Sequence, residues 1–249
     1  MRVLLTTFVL STLALAVCAP VSAQVSEQSY PVDGATELRL NVSGNVHVIP
    51  SSSAQDVSFH VQDYGPPLPA MHFTTTRSRG RLTISISGPS KNVLPFTGAS
   101  GYELQVTYPA NLKLDLREFQ GHVQADQLVA ETSLYDADGS IAVSGAAAAL
   151  TAEADSGAID VTGARGNVSL TTGTGAVTAA LAAGWRGNLV RMESSDGPLH
   201  LAVPAGFRGS YDLTSAQGAV RNSLAPVKGG AVVFMLTQNG DVSISPVNQ

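Results

Sequence analysis

The sequence predicts an all-β chain wound as a β-solenoid, right-handed or irregular, with coils of 18–22 residues. Three observations carry that expectation. Glycines that follow a polar residue and precede a short aliphatic segment recur at Gly121, Gly139, Gly157, Gly175, Gly197, Gly218 and Gly240, with separations of 18, 18, 18, 22, 21 and 22. The residues flanking them alternate apolar and polar with the period of two that a half-buried strand requires. Only 13% of the 249 residues are charged, about half the usual share of ~25%, which suits stacked coils covered by Ser, Thr, Asn and Gly.

Each element follows from its position relative to a corner glycine. Two residues downstream stand Val123, Ile141, Ile159, Val177, Leu199, Val220 and Val242; four downstream stand Ala125, Val143, Val161, Ala179, Leu201, Asn222 and Ile244. Between them lie Gln124, Ala142, Asp160, Thr178, His200, Arg221 and Ser243. Upstream of the last six glycines the same logic runs backwards. Leu134, Ala152, Leu170, Met192, Leu213 and Met235 stand five residues before, and Thr132, Leu150, Val168, Val190, Tyr211 and Val233 seven before. One unit is therefore strand, polar-Gly corner, strand, and a looser return. Asn222 is the exception, a polar residue on an inward position, and points to local distortion of its coil.

An antiparallel β-sandwich or meander is the alternative, because Asp138-Gly139 and Asn239-Gly240 also suit type I′ hairpins. A meander has no reason to hold an 18-residue period, whereas stacked coils need columns of like residues. A left-handed hexapeptide helix fails: steps of six from Ile141 reach Ala147, Glu153, Ile159 and Arg165. Residues 24–110 carry a weaker form of the pattern, in Leu38–Val48, Val57–Val61, Leu82–Gly88 and Tyr102–Tyr108, interrupted by Asp63–Ala70 and Asn92–Gly101. They read as the less regular start and cap of one domain spanning 24–249.

Residues 1–23 read as a signal peptide. Met1-Arg2 is a positive start, Val3–Val17 an apolar run, and Val21-Ser22-Ala23 a small-residue cleavage pattern that places the cut between Ala23 and Gln24. A membrane anchor would need ~20 continuous apolar residues, and Cys18-Ala19-Pro20 interrupts this run. Lipidation at Cys18 is the other reading of the segment. Cleavage removes the single cysteine, so no disulfide within the exported chain is expected. The expected destination is the periplasm, cell surface or medium, with no later membrane span.

The blocks Val42-Ser43-Gly44-Asn45-Val46-His47-Val48, Tyr102-Glu103-Leu104-Gln105-Val106-Thr107-Tyr108-Pro109, Ser156-Gly157-Ala158-Ile159-Asp160-Val161 and Asn239-Gly240-Asp241-Val242-Ser243-Ile244 resemble the adhesin-like β-solenoid domain of bacterial envelope proteins, a domain of unknown function. The resemblance covers roughly 35–245. It implies a secreted or surface location and an adhesive or structural role, and brings no catalytic motif.

The formal charge of −5 argues against nucleic acid, which calls for clustered basic groups. No Gly-x-Ser-x-Gly elbow, P-loop, dinucleotide fingerprint or calcium nonapeptide occurs. No catalytic, cofactor or metal residue is assigned, and His47, His60, His72, His122 and His200 lack ligand spacing. The first reading is a non-enzymatic adhesin-like or structural envelope protein whose Ser/Thr/Asn-rich surface binds a cell-surface polysaccharide or an envelope protein. The second is a carbohydrate-active enzyme, a polysaccharide lyase or hydrolase, using Asp136, Asp138, Glu153, Asp155, Asp160, Glu193 and Asp196, all expected on outward or corner positions. Glu153 and Glu193 would sit two coils apart, about 10 Å at ~4.8 Å per step, near the spacing of an inverting pair. Arg77, Arg79 and Arg81 would share one face and could meet an anionic surface, Trp185, Tyr135 and Phe207 could stack on sugars, and Phe234 and Leu236 fall outward.

Overall fold

The computed structural model describes residues 25–64, 71–87 and 101–247. The expected leader with its Ala23–Gln24 junction and Cys18, and residues 65–70 and 88–100, lie outside the described residues. The N-terminal part holds β1 (Val25–Pro31), β2 (Glu37–Val42), β3 (Asn45–Ser51), β4 (Asp56–Tyr64), β5 (His72–Ser78), β6 (Arg81–Ser87) and β7 (Gly101–Pro109). The regular part holds β8 (Lys113–Glu118), β9 (His122–Leu128), β10 (Thr132–Asp136), β11 (Ser140–Ala146), β12 (Leu150–Ser156), β13 (Ile159–Ala164), β14 (Val168–Thr174), β15 (Val177–Leu181), β16 (Leu189–Asp196) and β17 (Leu199–Val203). Four more follow: β18 (Gly209–Gln217), β19 (Val220–Asn222), β20 (Ala231–Asn239) and β21 (Val242–Pro246). No helix occurs among the described residues.

Consecutive strands of the regular part alternate between two mixed sheets. Sheet I has eleven strands in the order β1-β4-β7-β3-β9-β11-β13-β15-β17-β21-β19; sheet II has ten, β18-β20-β16-β14-β12-β10-β8-β2-β6-β5. Every pairing from β8 to β21 is parallel, which the hairpin alternative does not allow. In sheet II Leu116, Leu134, Ala152, Leu170 and Met192 are successive register partners. In sheet I Val123, Ile141, Ile159, Val177 and Leu199 are. The aliphatic columns face one another between the sheets and form a continuous apolar core from Leu38 to Ile244.

The corners stack through their backbones. The N–H of Gly139 donates to Ser156 O (3.2 Å), that of Gly157 to Thr174 O (2.7 Å) and that of Gly175 to Asp196 O (2.8 Å), so the ladder continues around each bend. This closeness demands glycine: a Cβ on Gly157, whose φ is +128°, would lie 1.5 Å from Gly139 O.

Stacking order departs from chain order at both ends. At the C-terminal end, β20 and β21 insert between β16/β17 and β18/β19. The corners therefore run Gly197, Gly240, Gly218, where the spacing alone implied sequential stacking. The inserted coil supplies the better inward residues, Val233, Met235, Val242 and Ile244, each at most 2% exposed. The outermost coil carries the residue that did not fit. Asn222 pairs with Ile244 but faces solvent, and its Oδ1 accepts a hydrogen bond from Leu224 N–H at 2.9 Å.

At the other end, β2 and β3 lie directly on β8 and β9, with β6 and β7 outside them. Beyond β6 and β7 the pairing turns antiparallel, β5 on β6, β4 on β7 and β1 on β4. Tyr30, Phe59 and Phe73 pack edge-on or stacked there, with ring centroids 5.4–6.1 Å apart. These bulky rings cover the end of the apolar core.

Candidate functional site

Alternation turns the residue three positions before each corner glycine inward, and these residues form a column beneath the corners, polar except at Ala154 and buried except at the half-buried Ser215: Glu118, Asp136, Ala154, Thr172, Ser194, Thr237 and Ser215. Four hydroxyls there donate to the carbonyl of the neighbouring corner glycine. Thr172 Oγ1 reaches Gly157 O at 2.9 Å, Ser194 Oγ reaches Gly175 O at 3.1 Å, Thr237 Oγ1 reaches Gly197 O at 2.9 Å, and Ser215 Oγ reaches Gly240 O at 2.7 Å. The hydroxyls satisfy carbonyls that the bend would otherwise leave facing an apolar interior.

Glu118 and Asp136 replace hydroxyls with carboxyls in this column, and both are fully buried. Glu118 Oε1 accepts from the N–H groups of Gly44 (2.8 Å) and Gln120 (2.6 Å), and Asp136 Oδ1 accepts from Asp138 N–H (3.1 Å). Their other oxygens, Oε2 and Oδ2, are enclosed and take no hydrogen bond from a donor among the described residues. Burial first, and then the neighbouring Glu118, push the Asp136 carboxyl up to about 8. The protonated form of Asp136 is therefore favoured beside Glu118. Asp136 is thus not an outward acid: a side chain with the parity of Leu134 must face the core.

The remaining acids are dispersed. Asp138, Asp155 and Asp196 are exposed; Glu153 and Glu193 lie on the outer face of sheet II, with Thr171 between them in register, and Asp160 lies on the opposite sheet. Asp155 Oδ2 accepts from Tyr135 Oη at 2.8 Å, so Tyr135 serves its own face rather than standing free. Glu193 meets Arg191 at 2.5 Å, and the Arg191 guanidinium also lies 5.3 Å from the centroid of the Phe234 ring. Leu236 is exposed; the chain's last strand, β21, runs in the other sheet and does not cover it.

The histidines fall on separate surface positions. His47 Nε2 lies 2.6 Å from Asp126, His122 Nδ1 is 2.9 Å from Ser140 Oγ, His200 Nδ1 is 2.9 Å from Ser243 Oγ, and His60 is 3.5 Å from Glu27. No group of three or more metal-ligating side chains occurs among the described residues. The basic run is largely spent internally. Arg77 binds the carbonyls of Pro31 and Val32 and pairs with Asp33, while Arg81 pairs with Glu37 at 2.7 Å. Of the three arginines in this run, Arg79, at the β5–β6 turn, has no ion-pair partner among the described residues.

The outer face of sheet I is lined by short side chains in register rows, including Ala142, Asp160, Thr178 and His200 in one and Ser144, Thr162, Ala180 and Ala202 in the next. Rows of this kind form a surface mainly of hydroxyl and methyl groups, interrupted by the Asp160 carboxylate and the His200 ring, repeating at about 4.8 Å. That surface, not a cleft with converging acids, is the most extended chemical feature of the regular part.

No protein-family model matches the chain, and no curated protein matches it. Three solved structures are similar to the chain over most of its length. A candidate adhesin from Bacteroides fragilis is 14% identical, with a TM-score of 0.48, covering 91% of this chain and 98% of that one. A candidate cell adhesion protein from Clostridium sporogenes is 11% identical, with a TM-score of 0.43, covering 90% and 100%. A candidate adhesin from Parabacteroides distasonis is 10% identical, with a TM-score of 0.32, covering 88% and 97%. At these scores and identities none of the three assigns an activity or a ligand to this chain.

Proposed function

We propose that the chain is an exported, non-enzymatic β-solenoid of the adhesin-like kind, which holds flat rows of Ser, Thr and other small side chains toward a cell-surface polysaccharide or an envelope protein. The observation that supports this reading is the residue-for-residue parallel register, which repeats equivalent outward positions along the stack. A repeating surface suits a repeating partner, because weak contacts at many equivalent positions add up. Catalysis by the outward carboxylates is the competing reading. It loses support from the dispersal of the acids: Asp136 is buried, Asp160 is on the other sheet, and Glu193 is engaged by Arg191.

Incubating the protein with a panel of neutral and acidic polysaccharides separates the two readings. The expected result is retention of protein on one or more polymers, or on isolated envelopes, with no new reducing ends or unsaturated products. Product release that disappears in Glu153→Gln would establish the enzyme and overturn the binding scaffold.

A further inference from the structure

The basic groups are unevenly distributed. Among the described residues, Arg39, Arg77, Arg81, Lys113, Arg117, Arg191 and Arg221 each lie within ion-pair distance of a carboxylate. Five do not: Arg79, alone at the β5–β6 turn, and Arg165, Arg186, Arg208 and Lys228, and these last four are all exposed. They occur once per unit, in the four returns that lead from sheet I back to sheet II before β14, β16, β18 and β20. These returns are contiguous. Arg186 N–H donates to Arg165 O (2.8 Å), Val232 N–H to Asn188 O (2.9 Å) and Ala231 N–H to Arg208 O (2.9 Å). No Asp or Glu occurs in 161–192, 197–211 or 213–240. An acidic protein thus has one edge bearing four unneutralised cations.

The same edge is apolar. Two returns share the pattern Ala183-Gly184-Trp185-Arg186-Gly187 and Ala205-Gly206-Phe207-Arg208-Gly209. Trp185 donates from Nε1 to Gly166 O at 2.7 Å and leans on Phe207, with ring centroids 5.4 Å apart. The two rings line a groove of about 640 Å³, with Leu181, Pro204 and Val247 on its walls and Arg208 as its one charged side chain. Val247 is 40% exposed, and Leu189 and Val232, register partners where β16 and β20 begin, are 37% and 49% exposed.

We propose that this return edge docks on the surface of an anionic phospholipid bilayer, the guanidinium and ammonium groups meeting phosphates and Trp185, Phe207 and the exposed aliphatics entering the headgroup–acyl boundary. Charge complementarity and the lining decide the partner. A sugar site needs amide, carboxylate or hydroxyl side chains to read hydroxyl groups, and this groove offers only Arg208; exposed Leu189 and Val232 give a polysaccharide nothing to bind. Indole and phenyl rings flanked by cations are suited to the bilayer interface. The inference rests on the export proposed above, and concerns an edge separate from the flat sheet faces.

The chain contains a single tryptophan, so Trp185 reports its own surroundings. Protein beginning at Gln24, which contains every described strand, is titrated with vesicles of phosphatidylcholine alone or mixed with phosphatidylglycerol. The expected result is a blue shift of emission and quenching by acyl-brominated lipid with the anionic vesicles, weakened by salt. The double variant Arg186→Gln/Arg208→Gln should bind roughly 30-fold more weakly, at about a factor of five per cation. An unchanged spectrum with anionic vesicles, or equal binding to phosphatidylcholine alone, would overturn the proposal. So would binding to polygalacturonate without binding to vesicles. Retention of the double variant on the polysaccharides or envelopes that hold the parent chain would leave the adhesive reading standing whichever way the vesicle result falls.

Discussion

Thr172, Ser194, Thr237 and Ser215 solve one problem at four levels of the stack: a corner carbonyl turned toward an apolar interior needs a donor, and a short hydroxyl supplies it from the neighbouring coil. Asp136 can act as a donor only while protonated. Its carboxyl titrates near the ordinary value of ~3.9 when the chain is unfolded, but is pushed up to about 8 in the fold by burial and then by Glu118. The folded state therefore binds more protons across that window. Its contribution to stability is full below pH ~4, declines as pH rises by at most ~1.4 kcal/mol per unit, and is lost above about 8. Asp136→Asn keeps a donor and an acceptor without the ionisation, so thermal melts should show a flatter pH dependence between about 5 and 8 than the parent chain; superimposable profiles would refute the assignment. This column was legible in the sequence and easily misread. Asp136, Thr172 and Ser194 share the parity of Leu134, Leu170 and Met192, so alternation alone turns them inward, but their polarity and their place beside a corner suggest the opposite.

At the scale of the element, the strands and corners of the regular part follow directly from the 18-residue period, because parallel stacking places like residues one above another. Val161 shows the consequence. It is fully buried, between register partners Val143 and Ala179. Val161→Asp forfeits ~1.5–3 kcal/mol of burial and encloses a charge with no partner. The melting temperature should fall by roughly 10 °C or more, and an unchanged value would show that this column does not face the core. The antiparallel strands β1, β4 and β5 left no comparable periodic signal. β4 lies antiparallel between β1 and β7, β1 has β4 as its one partner, and β5 forms a local hairpin with β6, so no repeated column exists from which to read their register. The return edge was half visible: Trp185 and Phe207 stand out as aromatics, but the absence of facing carboxylates emerges only when the four returns are placed side by side.

For the molecule as a whole, the ends matter more than the middle. A stack of coils has two exposed ends, and a terminal coil needs either a cap or neighbours on both sides. Here the first coil, β2/β3, lies between β6/β7 and β8/β9, and the last, β20/β21, lies between β16/β17 and β18/β19. Strands β2, β3, β20 and β21 are thereby held by ladders on both sides, and fraying must begin in the strands outside them. Spacing could not reveal this order, since Gly218 and Gly240 are about equally distant from their predecessors. The order is also what brings Arg186, Lys228 and Arg208 onto one edge.

Cysteine pairs read the stacking order directly, on a background in which Cys18 is removed with the leader or replaced. Glu193, Leu236 and Thr214 are successive register partners on β16, β20 and β18. Neighbouring strands lie ~4.8 Å apart, within disulfide reach, whereas alternate strands lie about 9.6 Å apart and beyond it. Under mild oxidation Glu193→Cys/Leu236→Cys should close a disulfide and Glu193→Cys/Thr214→Cys should remain reduced. Closure of the 193–214 pair with the 193–236 pair left open would mean that the coils stack in chain order, and would contradict this account of the fold.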